Sequence, residues 1–185
     1  NFSFEKNDKK KIDILTAILL TGLVFKECSE NFEFGVKELE KLIEKFFDKN
    51  GFPLTRNPND LLKFCKYFIL IKECINDAQE HIPEFLDSIT EKSLSCLKNI
   101  TTPDNKMPLF NGATENELDD FYKYLTNLNI KFKNIKKNVG GLRIVKSQKD
   151  IVFFDTGILP EKKYSSDYQS GSLSFEYFNE GVKII

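Results

Sequence analysis

The hydrophobic period of this 185-residue chain changes at Gly140-Gly141, and that change limits the architectures open to it. Upstream, apolar residues recur at helical spacing. Ile14, Leu15, Ile18, Leu19, Leu23 and Phe25 predict a helix over 12–30 that is apolar nearly all round. Val36, Leu39, Leu42, Ile43, Phe46 and Phe47 predict a second helix over 33–49, with Gly51 as its stop. Asn57-Pro58-Asn59-Asp60 sets an N-cap, a first-turn proline and a first-turn acid before a third helix through Ile75. Pro83 opens a fourth helix to about Lys98, and Thr114-Glu115-Asn116-Glu117 reads as a capping box before a fifth over 115–128.

Downstream the pattern turns β-prone. Leu142 and Ile144 are separated from Ile151-Val152-Phe153-Phe154 by the hairpin turn Ser147-Gln148-Lys149-Asp150. Leu173 to Phe178 and Val182 to Ile185 form a second pair around Asn179-Glu180-Gly181, so four antiparallel strands are expected. Helices followed by strands define an α+β chain: a helical portion 1–130, a linker 131–140 where lysines cluster from Lys131 to Lys137, and a sheet over 141–185. The chain begins without methionine and ends on the apolar run Val182-Lys183-Ile184-Ile185. Both ends read as truncations, making this a multidomain fragment, since an open apolar edge is an aggregation hazard.

Hydrophobic residues reach 41%, enough for a packed core, while a net charge of -1 supplies no field to gather nucleic acid. The longest apolar stretch, Ile12 to Phe25, is broken by Asp13, Thr16, Thr21 and Gly22 and falls short of the ~20 residues a bilayer requires. Cys28, Cys65, Cys74 and Cys96 lie in helical stretches without a C-x-x-C pair, which reads as buried free thiols and no metal site. Arg56 and Arg143 are the only arginines. A guanidinium fork grips a carboxylate at two points, and lysine does not.

Three segments carry a resemblance. They are Phe46-Phe47-Asp48-Lys49-Asn50-Gly51-Phe52-Pro53-Leu54-Thr55-Arg56-Asn57-Pro58; Asp104-Asn105 with Leu109-Phe110-Asn111-Gly112-Ala113; and Val152-Phe153-Phe154-Asp155-Thr156-Gly157 followed by Tyr168-Gln169-Ser170-Gly171-Ser172-Leu173-Ser174-Phe175-Glu176. In order and spacing the chain resembles the bacterial heparinase II/III-like polysaccharide lyases. The resemblance implies the C-terminal part of an (α/α) toroid followed by the start of an antiparallel β-sandwich. It also implies action on, or binding of, acidic uronate-containing polysaccharide by β-elimination, without a cofactor, in the periplasm or cell envelope; the free thiols fit a cytoplasmic setting instead.

A uronate lyase must neutralise the sugar carboxylate, remove the C5 proton and protonate the leaving oxygen. The candidate substrate-binding residues are Arg56, Asn57, Asn111, Tyr168 and Gln169, polar groups suited to carboxylates and hydroxyls. Beside this stand plainer readings: an N-cap asparagine with a solvated arginine, and a turn stabilised by Asn111. Gln169 can only hydrogen-bond. Histidines that family members carry near the first and third segments are replaced here by Pro53 and by Gln169-Ser170. The single histidine, His81, sits in a helix–helix connection. A catalytically degenerate carbohydrate-binding or structural relative is therefore the alternative.

Overall fold

In the computed structural model, residues 2–130, 132, 138–168, 171 and 173–185 are described. Five helices precede one antiparallel sheet: α1 Asp8–Val24, α2 Glu30–Phe46, α3 Pro58–Asp77, α4 Glu84–Ile100 and α5 Asp119–Asn127. Each helix starts where its first donors are satisfied. Asn7 caps α1 by accepting from the amides of Lys9 and Lys10, which moves its start ahead of the expected 12. That helix also ends early, because Lys26–Cys28 tighten into a 3-10 turn that leads into α2.

Helix α2 ends at Phe46 without a glycine cap. Phe47 is extended and bridges Pro53, while the Asp48 carboxylate accepts the amides of Asn50 and Phe52. Gly51 lies inside that turn at φ +87°, and a Cβ there would stand 2.6 Å from Lys92 and 2.8 Å from the Ser93 amide. Its role is thus close approach to α4, a correction to the helix stop read from sequence. The Asn57–Pro58–Asp60 start of α3 is as expected, with Asn57 accepting from the Asn59 amide. The capping box before α5 is not formed. Leu118 is the N-cap and makes no side-chain cap bond, while Thr114 meets the Asn59 side chain and ties the segment to the start of α3.

Short connections pair α1 with α2 and α3 with α4. Their apolar faces meet in a cluster that includes Leu15, Leu19, Leu39, Phe46, Phe64, Phe68 and Ile71. Phe64 and Phe68 are core. Cys65 and Cys96 are buried free thiols, whereas Cys28 and Cys74 are half-buried, so the expectation for four buried thiols holds for two. Burial pushes the Cys65 thiol well up and the Cys96 thiol to about 12, the latter with help from Asp48.

The sheet runs β1 Asn138–Val139, β2 Leu142–Lys146, β3 Asp150–Asp155, β4 Phe175–Asn179 and β5 Val182–Lys183, in sequence order. It therefore has five strands where four were expected. Gly140 and Gly141, at φ +55° and +78°, form a two-residue hairpin turn that gives β1 its pairing with Leu142 and Arg143. Asn138 and Val139 of the expected linker thus belong to the sheet. Lys131 and Lys133–Lys137 lie outside the described residues. The Ser147–Asp150 and Asn179–Gly181 turns join their strands as read from sequence.

Alternation along β2 to β4 turns Leu142, Ile144, Ile151, Phe153 and Phe178 inward. These side chains share one cluster with Leu61, Leu62, Ile69, Leu94, Leu97 and Ile100 of α3 and α4. The sheet thus packs directly on the second helix pair, and the seam between them carries the polar groups described next. Among the described residues no helix is long and apolar enough to cross a membrane.

Candidate functional site

The seam is organised around Arg56. The Pro53 carbonyl accepts the Arg56 amide at 2.9 Å, and the backbone enters the left-handed region at φ +58° before Asn57 opens α3. This turn carries the side chain inward, where Arg56 is 7% exposed. Nε donates to the Gly140 carbonyl at 3.0 Å, Nη1 to the Ile158 carbonyl at 2.9 Å, and Nη2 to Asp155, which is 1% exposed. A Cβ at Gly141 would come within 2.6 Å of the guanidinium and one at Gly157 within 2.4 Å. Two glycines therefore make the slot that the fork fills.

The solvated arginine that sequence allowed is overturned, because the guanidinium is buried and donates to two of the chain's own carbonyls and to Asp155. Asn57 is an N-cap as expected, and it is buried. Asn111, in the left-handed region at φ +56° as asparagine tolerates, donates from Nδ2 to the Arg56 carbonyl at 3.0 Å. The Tyr168 ring lies 5.8 Å from the Arg56 Cζ, within cation–π range. The structure thus gathers Arg56, Asn57, Asn111 and Tyr168 from three distant segments. Gln169 lies outside the described residues.

Two acids of the third segment were not among the candidate site residues. Asp155 shares parity with Ile151 and Phe153 on β3, and Glu176 with Phe178 on β4, so both point from strands into the seam. An acid at an inward strand position was the available signal. Asp155 Oδ1 also accepts the Gly157 amide at 3.1 Å, and Glu176 Oε1 accepts the Leu109 amide at 2.9 Å. Asp155 Oδ2, Glu176 Oε2 and the Tyr168 hydroxyl are buried without a partner. Such groups are costly when unpaired.

The loop after β3 is pinned to the helices at two further points. The Tyr164 hydroxyl donates to buried Asp8 at 3.0 Å, and Lys9 reaches Asp167 at 2.6 Å and Asp60 at 3.3 Å. Burial alone would lower the Lys9 ammonium, but Asp167 and Asp60 outweigh it and hold the group raised. Lys9 in turn holds Asp167 below the ordinary carboxylate value. His81 is exposed in the α3–α4 connection, away from this cluster in the chain. Among the described residues no group of three or more His, Cys, Asp or Glu is arranged to hold a metal ion.

The arrangement defines a class of fold: a helical bundle whose second hairpin carries an antiparallel sheet, with polar groups along the join. Solved structures share it. A heparan sulfate lyase HepC from Pedobacter heparinus matches over 94% of this chain with a TM-score of 0.76 at 14% identity. A heparinase III matches over 95% at 0.78 and 12% identity, and a heparinase III gene product with methylated lysines over 99% at 0.77 and 16% identity. The chain spans about a third of the length of these structures, 31%, 34% and 32% respectively. The resemblance read from the three segments is thus met by the fold of heparinase III. No family model matches the sequence, and no curated protein matches it.

Proposed function

We propose that this chain is the helix-to-sheet part of a heparinase III-like protein that takes acidic, uronate-containing polysaccharide. Helices α1 to α5 are the closing part of an (α/α) toroid, and the sheet is the first layer of a β-sandwich. The observation that carries the reading is the match to heparinase III structures over 94–99% of the chain at TM-scores of 0.76–0.78. The outward apolar residues Val145 and Phe175 support a second layer over the sheet, being 49% and 45% exposed.

In this reading Arg56 does not grip substrate. It is a positioning residue that locks the β3 end and the following loop against α3, beside Asn111 and Tyr168. Abstraction of the C5 proton and protonation of the leaving oxygen fall to side chains in the rest of the protein. The second reading, a binding relative without turnover, is favoured by the lone histidine His81 standing exposed outside the cluster.

The test uses the whole protein with heparan sulfate and with uronate oligomers. Absorbance of the unsaturated product measures elimination, and calorimetry measures binding. Product formation establishes the lyase. Binding without product establishes the binding relative. Absence of both overturns the proposal.

A further inference from the structure

We infer that residues 158–168, the connection after β3, form a latched strap over Asn57 and Asn111, and that saccharide reaches these residues only when the strap lifts. The inference rests on the carbohydrate reading above and concerns the regulation of that same site. Asn57 and Asn111 are candidate binding residues, yet they are 5% and 3% exposed. A ligand cannot reach them as they stand.

The cover is visible at Gly112. A Cβ there would stand 2.8 Å from the Asp167 carbonyl oxygen, 2.9 Å from the Asp167 Cβ and 3.5 Å from Asn57 Nδ2. Asp167 thus lies flush on the Asn111–Gly112 turn, next to the Asn57 side chain. Any larger residue than glycine at 112 would push the strap away.

The strap itself is lightly rooted. Within 158–168 only Tyr164 is buried, while Ile158, Leu159, Glu161, Lys162 and Lys163 are exposed. Its regular structure is the 3-10 turn Lys162–Tyr164. A segment with so few buried apolar contacts opens locally at far lower cost than the whole fold.

What holds it shut is the first turn of α1. Asp8 accepts the Tyr164 hydroxyl at 3.0 Å, and the next residue, Lys9, reaches Asp167 at 2.6 Å. The Tyr164 ring rests edge-on against Phe46, with centroids 5.2 Å apart. The root is fixed separately: the Ile158 carbonyl accepts from Arg56 Nη1 at 2.9 Å, directly after Gly157. A small residue beside a fixed root is a suitable hinge. The Tyr168 hydroxyl is buried with no partner in the closed strap. Closing costs that group its water, lifting restores it, and the two contacts to Asp8 and Lys9 offset the difference.

The test combines hydrogen exchange and calorimetry on the whole protein, with a heparan sulfate oligosaccharide as the probe. A three-residue 3-10 turn does not persist off the helices. Exchange of the Tyr164 amide, bonded to the Glu161 carbonyl at 2.7 Å, therefore reports lifting. Saccharide should accelerate this exchange, because it binds the lifted form. Tyr164→Phe keeps the ring against Phe46 and leaves the charge unchanged. It should speed exchange about fivefold, the scale of one hydrogen bond. It should also tighten the saccharide about fivefold, since apparent affinity follows the competent fraction. Lys9→Met should speed exchange by a similar factor. Lys149→Ala, an exposed residue paired with Glu180, should change neither. Unchanged exchange in both latch variants overturns the latch. Faster exchange in Tyr164→Phe with unaltered affinity overturns the cover and leaves the carbohydrate reading standing, as does saccharide that slows the Tyr164 amide. No saccharide binding by the wild type or by Tyr164→Phe, with exchange still responding, overturns the carbohydrate reading and the strap's role in it together.

Discussion

Arg56 spends its charge inside the protein, and this gives it a stability cost when removed. Asp155 is its ion-pair partner at 1% exposure and already has one oxygen unpaired. Arg56→Ala leaves that carboxylate buried without its countercharge, which costs about 3–5 kcal/mol. Arg56→Lys keeps the charge but loses the fork that reaches Gly140, Ile158 and Asp155 together, so it should be intermediate. The double variant Arg56→Ala with Asp155→Asn should lose less than the sum of the singles. Urea unfolding of the wild type, the Arg56→Ala and Asp155→Asn singles and the double variant measures this, with Arg56→Lys beside them; additive losses would show that the pair is not coupled.

At the scale of elements, the helix starts separate two kinds of cap. Asn57 accepts the Asn59 amide at the start of α3, so Asn57→Ala should cost about 1 kcal/mol and Asn57→Asp much less. Thr114 caps nothing in α5, so Thr114→Ala should stay within about 0.5 kcal/mol. The urea midpoint of each variant decides between them, and a loss at Thr114 equal to that at Asn57 would restore the capping box. Sequence showed both motifs with equal clarity. Only the first had its helix begin in register with it, because Thr114 and Asn116 are drawn to Asn59 instead.

At the scale of the molecule, the Lys9–Asp167 pair holds the β3–β4 connection against α1 and α3. Asp167 is held below its ordinary value of 3.8, chiefly by the Lys9 hydrogen bond. Its contribution is therefore whole above that value and is lost as pH falls through the lowered one. Lys9 is raised above 10.5, so its contribution is whole below that value and is lost as pH rises through the raised one. Hydrogen exchange at the amides of Tyr164 and Tyr168, normalised for intrinsic rate, should be slowest across the neutral range and should accelerate at both extremes. In Lys9→Met the acid limb should shrink, because the main cause of the lowered Asp167 is gone and little of its pH-dependent contribution is left to lose. An unchanged acid limb in that variant would mean that the pair does not hold the loop.

Hydrophobic periodicity and turn chemistry determined the order of helices and strands, because both act within a few residues of the chain. The Asn57-Pro58 start, the Ser147–Asp150 turn and the inward alternation of β3 needed nothing beyond their neighbours. Gly140-Gly141 was visible as a boundary, yet its turn also creates β1, a two-residue strand too short to carry a period of its own. The site belongs to the tertiary structure. Arg56 and Asp155 stand 99 residues apart in the chain, and Leu109 and Glu176 stand 67 apart. No local pattern encodes such a pairing. It arises because the sheet must bury Leu142, Phe153 and Phe178 against α3 and α4, and that packing brings an arginine, two acids and an asparagine to one seam.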